Sequence, residues 1–302
     1  GGKDYPALIG DDNLPFENAG VLKTTGFELQ AKWSDKLSNG FAYSVGVALS
    51  DDKAEVLSYP SNPTNKIGDG VLYKGYTVGD IWGYETGGIL QESDFDGVGP
   101  NGKPLYHGAY FKGGQPYPGY VWYQDLDHDG VITSGLSTVD DPGDKKVIGN
   151  NAPRYRYNIT ANFQYKGFDL DLMFQGVGKR DYWLKDVSSY WGGGAGSWET
   201  YNQSWTPERT DAKFPMYGSG IGSYAQSGYL LDASYIKLKQ VILGYTFPKA
   251  LIGKVGLKKL RLNIAAYNLF TLSDVPKYYD SDYLSDAYPP KRTFSVGIQV
   301  GF

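Results

Sequence analysis

The sequence predicts an all-β protein, part of a large antiparallel transmembrane β-barrel, and three observations carry that prediction. The last ten residues, Thr293 to Phe302, place Phe294, Val296, Ile298, Val300 and Phe302 on even positions and small or polar residues on odd ones, the signature of a strand with an apolar and a wet face. The same alternation recurs upstream. The links between alternating segments are short and long in strict turn, which is the habit of a barrel with tight periplasmic turns and long extracellular loops.

Composition sets the outer bounds. The 302 residues include 41 Gly, 27 Tyr and 7 Trp against 2 His and no Cys, a turn-rich, aromatic-rich balance. No stretch approaches the roughly 18 consecutive apolar residues of a membrane helix, so a membrane role must use strands. Without cysteine there is neither thiol chemistry nor a disulfide framework, which suits passage through an oxidising periplasm. The net charge of −4 argues against nucleic acid as the main partner. The polar, Gly-rich start at Gly1 carries no signal peptide, as expected of a mature protein or a fragment.

The elements follow in order. Gly26 to Ser34 sets Phe27, Leu29, Ala31 and Trp33 against Glu28, Gln30, Lys32 and Ser34. Gly40 to Ser50 sets Phe41, Tyr43, Val45, Val47 and Leu49 against Ala42, Ser44, Gly46, Ala48 and Ser50. Tyr155 to Tyr165 keeps apolar residues on odd positions, and Lys166-Gly167 reads as a tight hairpin turn into Phe168, Leu170, Leu172 and Phe174. Tyr235 to Phe247 changes phase between Leu238 and Val241, which predicts a bulge near Lys239-Gln240. Leu260, Leu262, Ile264 and Ala266 mark the sixth strand and Thr293 to Phe302 the seventh.

The short links are 35–39, 166–167 and 248–258, and the long ones are 51–153, 177–234 and 271–292. Strands one and seven therefore run the same way, and ends that run the same way cannot close an antiparallel barrel. Bacterial single-chain barrels carry even numbers of strands, so this set is expected to be incomplete by itself. Its first and last strands should then offer free edges to strands outside these residues, because lone edges in lipid are too costly to persist. The 51–153 link is too long to be structureless in a compact protein. Ile81-Trp82-Gly83-Tyr84 and Tyr120-Val121-Trp122-Tyr123 should give it short strands, making a folded extracellular region.

Short motifs then run through most of the chain. They include Thr25-Gly26-Phe27-Glu28-Leu29, Gly79-Asp80-Ile81-Trp82-Gly83-Tyr84, Asp125-Leu126-Asp127-His128-Asp129-Gly130-Val131-Ile132 and Val147-Ile148-Gly149-Asn150. They continue with Tyr165-Lys166-Gly167-Phe168-Asp169-Leu170, Trp205-Thr206-Pro207-Glu208, Leu243-Gly244-Tyr245-Thr246-Phe247-Pro248, Asn268-Leu269-Phe270-Thr271 and Tyr288-Pro289-Pro290-Lys291-Arg292-Thr293. In order and spacing the chain resembles the C-terminal barrel half of the SusC/RagA family, TonB-dependent outer-membrane transporters that work with a SusD-like surface lipoprotein. The resemblance implies residence in the outer membrane of a Bacteroidota-like Gram-negative bacterium and import of a glycan fragment or peptide. Substrate would be held between barrel and lipoprotein, then moved inward when TonB pulls on a plug that is not in these residues. Phe302 resembles the terminal aromatic residue read by the barrel-assembly machinery.

Three groups of residues carry candidate chemistry. Asp125, Asp127 and Asp129 stand at positions one, three and five of a calcium loop, with Gly130 at the turn and the Val131 carbonyl at seven. Position twelve holds Leu136, so Asp140 or Asp141 would have to supply the last carboxylate; the bland alternative is a solvated Asp-Gly turn. Tyr190, Trp191, Trp198, Tyr201 and Trp205 surround Gly192-Gly193-Gly194 and form a candidate substrate or partner contact, since exposed rings stack on sugars. Packing against neighbouring loops or the lipoprotein is the structural alternative. Asp169 and Asp171 share a parity and should face the wet lumen as structural carboxylates. With two His, no Cys and no nucleophile elbow, no active site is expected. The competing reading is a secreted carbohydrate-binding β-domain, which would bury the faces that a transporter leaves to lipid.

Overall fold

The computed structural model describes residues 20–183, 201–219, 224–275, 280–284 and 290–302. Among these residues seven long strands form one sheet: β1 (Val21–Lys36), β2 (Ala42–Ser58), β3 (Arg154–Tyr165), β4 (Phe168–Lys179), β5 (Tyr235–Thr246), β6 (Lys259–Leu272) and β7 (Thr293–Gly301). Each is hydrogen-bonded to its neighbours in sequence order, with β1 and β7 at the two edges. From β2 onward every pairing is antiparallel. The sheet does not close on itself among the described residues, as the odd strand number requires.

The short connections behave as their residues dictate. Lys166 and Gly167 both take positive φ, 47° and 88°, the pair of left-handed conformations that a two-residue type I′ hairpin needs. Between β1 and β2 the Leu37 N–H donates to the Phe41 carbonyl at 2.8 Å. The third link is more than a turn: Lys249–Ile252 forms one helical turn, extended by a 3-10 turn at Gly253–Val255, and Ile252 is its buried anchor. The phase change in β5 is a bulge. Met173 of β4 faces Gln240 and Phe174 faces Leu238, so Lys239 is the extra residue.

The chain divides into two compact units. One contains Thr25–Lys53, Pro153–Asp181 and Leu231–Phe302, which make the wall; the other consists chiefly of Ala54–Ala152 and Tyr182–Leu230. In this second, loop unit, Asp80–Tyr84 pairs antiparallel with Lys145–Asn150, and Thr86–Ile89 with Val121–Tyr123. Phe95–Val98 pairs with Pro104–Tyr106, and Tyr110–Phe111 runs parallel to Val131–Ile132. Its apolar centre is Val56, Ile67, Tyr73 and Tyr76 packed with Tyr59, Leu72 and Trp82, and the Trp82 indole N–H donates to the Tyr73 hydroxyl at 2.8 Å. Thus the 51–153 link carries its own core, so its length does not imply a floppy loop.

Candidate functional site

The register of the wall sorts its side chains into rows. One row reads Tyr43, Phe163, Leu170, Leu243, Ile264 and Val296 across six strands. The next reads Val45, Ala161, Leu172, Val241, Ala266 and Phe294. The rows lie open at Leu243, Ile264, Val296 and Phe294, which are 47%, 56%, 76% and 67% exposed, while Ala266 is the small, buried member between them. A water-soluble sandwich would cover such a band, whereas hydrocarbon solvates it.

Aromatic residues gather at the short-turn end of the same face. Phe41 stacks on Tyr43 and Phe163 at 6.1 and 6.2 Å, and Phe168 meets Tyr245 at 4.5 Å, which in turn meets Phe247 at 4.9 Å. Amphipathic rings favour the boundary between water and hydrocarbon, and barrels carry such girdles there. Strand-by-strand reading missed this feature; the signal was the recurrence of Phe or Tyr within two residues of each short link.

The other face is polar and internally paired. Arg261 donates to both oxygens of Asp169, at 3.3 and 2.5 Å, and Asn162 donates to Asp171 at 2.5 Å. Asp169 and Asp171 are thus held as hydrogen-bond acceptors on the lumen-facing side. Gly244 stands beside the first pair, and a Cβ there would collide with both Arg261 and Asp169. Near the other end of the strands, Arg154 grips Asp51 with two bonds of 2.5 and 2.6 Å, and Arg156 pairs with Asp52. A basin of about 700 Å³ lies on this face among Glu28, Gln30, Arg156, Gln175, Arg180 and Tyr235. Beside it Lys237 is buried against Asp280 and Asp282 of the segment between β6 and β7.

In the loop unit the acidic turn closes on itself. Asp125 accepts from the His128 and Gly130 amides at 2.7 and 2.8 Å, and Asp129 accepts from the Val131 amide at 2.8 Å. Asp125, Asp127 and Asp144 bring carboxylate oxygens within 4.8 Å of one another, the only such cluster of potential ligands among the described residues. Asp144 is 0% exposed, and its two oxygens accept from the Leu126 and Thr133 amides at 2.7 Å each. The sequence grouped Asp125, Asp127 and Asp129 with Asp140 or Asp141; the cluster of the fold keeps Asp125 and Asp127 and takes Asp144, whose place is set by its bonds to the Leu126 and Thr133 amides rather than by loop spacing. The Asp129 amide draws the Asp127 carboxyl down, but partial desolvation and the charges of Asp129 and Asp144 outweigh it, so the carboxyl titrates above its ordinary range.

Of the aromatic candidates, Tyr190, Trp191 and Trp198 lie outside the described residues. Trp205 is buried at 3% exposure, and its indole N–H donates to Gln91 Oε1 at 3.0 Å, so it packs the loop unit. Tyr201 stays open beside Tyr217, their rings 6.0 Å apart. A second aromatic group, Tyr84, Phe111, Tyr123 and Tyr224, interlocks with ring separations of 5.0–5.7 Å. Burial there pushes the Tyr84 hydroxyl up to about 12, so it is neutral at physiological pH. Phe302, just beyond β7, is 84% exposed.

An open antiparallel wall with a lipid-type face, a polar face and long folded loops is part of an outer-membrane β-barrel. No family model matches the chain. It is 27% identical over 314 residues to TonB-dependent receptor P3 of Formosa agariphila, covering 95% of this chain and 29% of that protein. TonB-dependent receptor P26 of the same organism is 24% identical, covering 96% and 30%. The chain thus spans less than a third of the length of these relatives. The solved RagAB peptide transporter superposes with a TM-score of 0.68 at 18% identity over 99% of this chain and 31% of that one. Its open-open state gives 0.66 at 19% identity over 99% and 30%. The curated relatives are TonB-dependent receptors and the solved neighbour is RagAB, in line with the SusC/RagA resemblance.

Proposed function

We propose that the chain is a section of barrel wall, with its loops, in a transporter that imports a glycan fragment or peptide across the outer membrane by TonB coupling, without catalysis. The membrane would be that of a Bacteroidota-like Gram-negative bacterium, and a SusD-like surface lipoprotein would be the partner. The open apolar rows, Leu170–Leu243–Ile264–Val296 above all, carry this reading, because a secreted sugar-binding domain would have to cover them. The test uses cells producing the whole protein that contains this chain. Uptake of a labelled oligosaccharide or peptide mixture should need this protein, TonB and the lipoprotein together. Uptake that persists after TonB removal would contradict the reading.

We also propose calcium as the partner of the acidic turn, with Asp125, Asp127 and Asp144 as carboxylate ligands and the Val131 carbonyl beside them. A wholly buried carboxylate beside two others calls for a counter-charge, and none of the three joins an ion pair among the described residues. Oxygen donors alone suit calcium better than zinc. Calcium at 100 times its dissociation constant should stabilise the loop unit by about 2.7 kcal/mol. Limited proteolysis of residues 54–152 should therefore slow with calcium and speed up with chelator, and the difference should vanish in Asp125→Asn. Equal cleavage in all conditions would reduce the site to a hydrogen-bonded turn.

A further inference from the structure

The loop unit holds a cleft of about 230 Å³ walled by Tyr106, Tyr110, Phe111, Tyr120, Trp122 and Tyr224. Two strand pairings build it: Val121–Tyr123 lies on Thr86–Ile89, and Tyr110–Phe111 lies on Val131–Ile132. Gln115, at the rim, spends its side-chain N–H groups on the carbonyls of Pro104 and Pro116, at 3.1 and 3.2 Å, which fixes that wall. Ser219 also lines the cleft. Its Oγ is buried and has no hydrogen-bond partner among the described residues, a condition that folded proteins rarely leave uncompensated.

We propose that this cleft binds one aromatic or branched apolar side chain of a peptide, with Ser219 Oγ meeting the main-chain amide beside that side chain. The volume falls below the roughly 300–1,000 Å³ of sites for whole small ligands, which suits a single side chain. Rings stack on the Tyr and Trp walls without needing polar partners. A pyranose stacks its C–H face on one ring, as at an open aromatic site, but in so small a cleft, walled by rings on several sides, most of its hydroxyls would go unpaired. A peptide supplies both an apolar group for the walls and an N–H or C=O for the lone hydroxyl. This inference rests on the import reading above and narrows its cargo to peptides.

The test is calorimetric titration of the purified whole protein in detergent with Ala-Phe-Ala, Ala-Asp-Ala and maltotriose. The Phe peptide should bind, the Asp peptide at least tenfold more weakly, and maltotriose without measurable heat. Ala109→Leu, which fills the cleft, should weaken the Phe peptide at least tenfold, and Ser219→Ala about two- to tenfold. Should Ala109→Leu misfold, Tyr110→Ala at the rim replaces it with the same expectation. Equal affinity for the Phe and Asp peptides, binding of maltotriose at this cleft, no peptide binding, or an unchanged Phe affinity in both variants would overturn the proposal. Loss of lipoprotein retention without any peptide binding would assign the cleft to the partner and overturn it too. Import is measured separately in cells, so failed uptake with intact peptide binding would sink the transport reading alone.

Discussion

Replacing Lys237 with methionine is expected to destabilise the docking of residues 280–284 on β5 by about 3–5 kcal/mol, since removing one partner of a buried ion pair strands the other. Lys237 Nζ lies 2.8 Å from both oxygens of Asp280 and 2.7 Å from Asp282 Oδ2, and the three side chains are only 4%, 14% and 18% exposed. Lys239 reaches Asp282 at 3.3 Å and is 25% exposed, so it compensates only in part. Hydrogen exchange should report the loss at the Leu284 amide, which donates to the Asp280 carbonyl. Protection that is unchanged would contradict the role given to Lys237. Adding Asp280→Asn and Asp282→Asn should restore most of it, because an uncharged set carries no stranded charge.

The same cluster sets a pH dependence. Burial favours the neutral form of Asp282, but the hydrogen bonds from Lys237 and Tyr235 outweigh it and hold the carboxyl below its ordinary value. A depressed folded pKa gives stability that is fully present above the unfolded value, near pH 4, and is lost as pH falls through the folded one. Protection at 280–284 should therefore hold at neutral pH and fade at the acid end. Fading above pH 6 would point to another group.

Leu243→Arg is expected to cost about 2–4 kcal/mol in a lipid bilayer, the range for a cation near the middle of a barrel's outer face. Leu243 sits in the centre of the apolar rows and is 47% exposed. Ser295→Arg, on the opposite parity of β7, should be nearly neutral because that side chain meets the wet face. Folded fractions after reconstitution into vesicles separate the two. A silent Leu243→Arg, in protein that stays monodisperse without detergent, would favour the secreted reading.

The wall was legible because its physics is local. A period of two assigns each strand two faces, and a stray phase between Leu238 and Val241 located the bulge at Lys239 before any pairing was known. The strand ends were not legible: β1 starts at Val21 and β2 runs on to Ser58, through Asp51, Asp52 and Lys53, where hydrogen bonding continues without an apolar face to mark it. The helical turn at Lys249–Ile252 hid inside a link read only by its length. What the sequence could not show were partners remote along the chain. Asp144 joins Asp125 through the fold of the loop unit, and Lys237 meets carboxylates more than forty positions away.

The loop unit's two ends are tied together within it. Glu55 bridges Thr77, Asp80 pairs with Asn150, and the Asn151 amide donates to the Gly79 carbonyl. That closure bears on the order of assembly. Joining β2 to β3 across a random coil of about 100 residues would cost ~4 kcal/mol in loop entropy, from (3/2)RT ln n. A loop unit that has already folded removes most of that cost and delivers the two strands as near neighbours, ready for the Asp51–Arg154 pair to form. In kinetic terms β2 and β3 would then meet as the arms of a hairpin with an oversized turn, and the slow step expected of this stretch would pass from strand search to the folding of the loops.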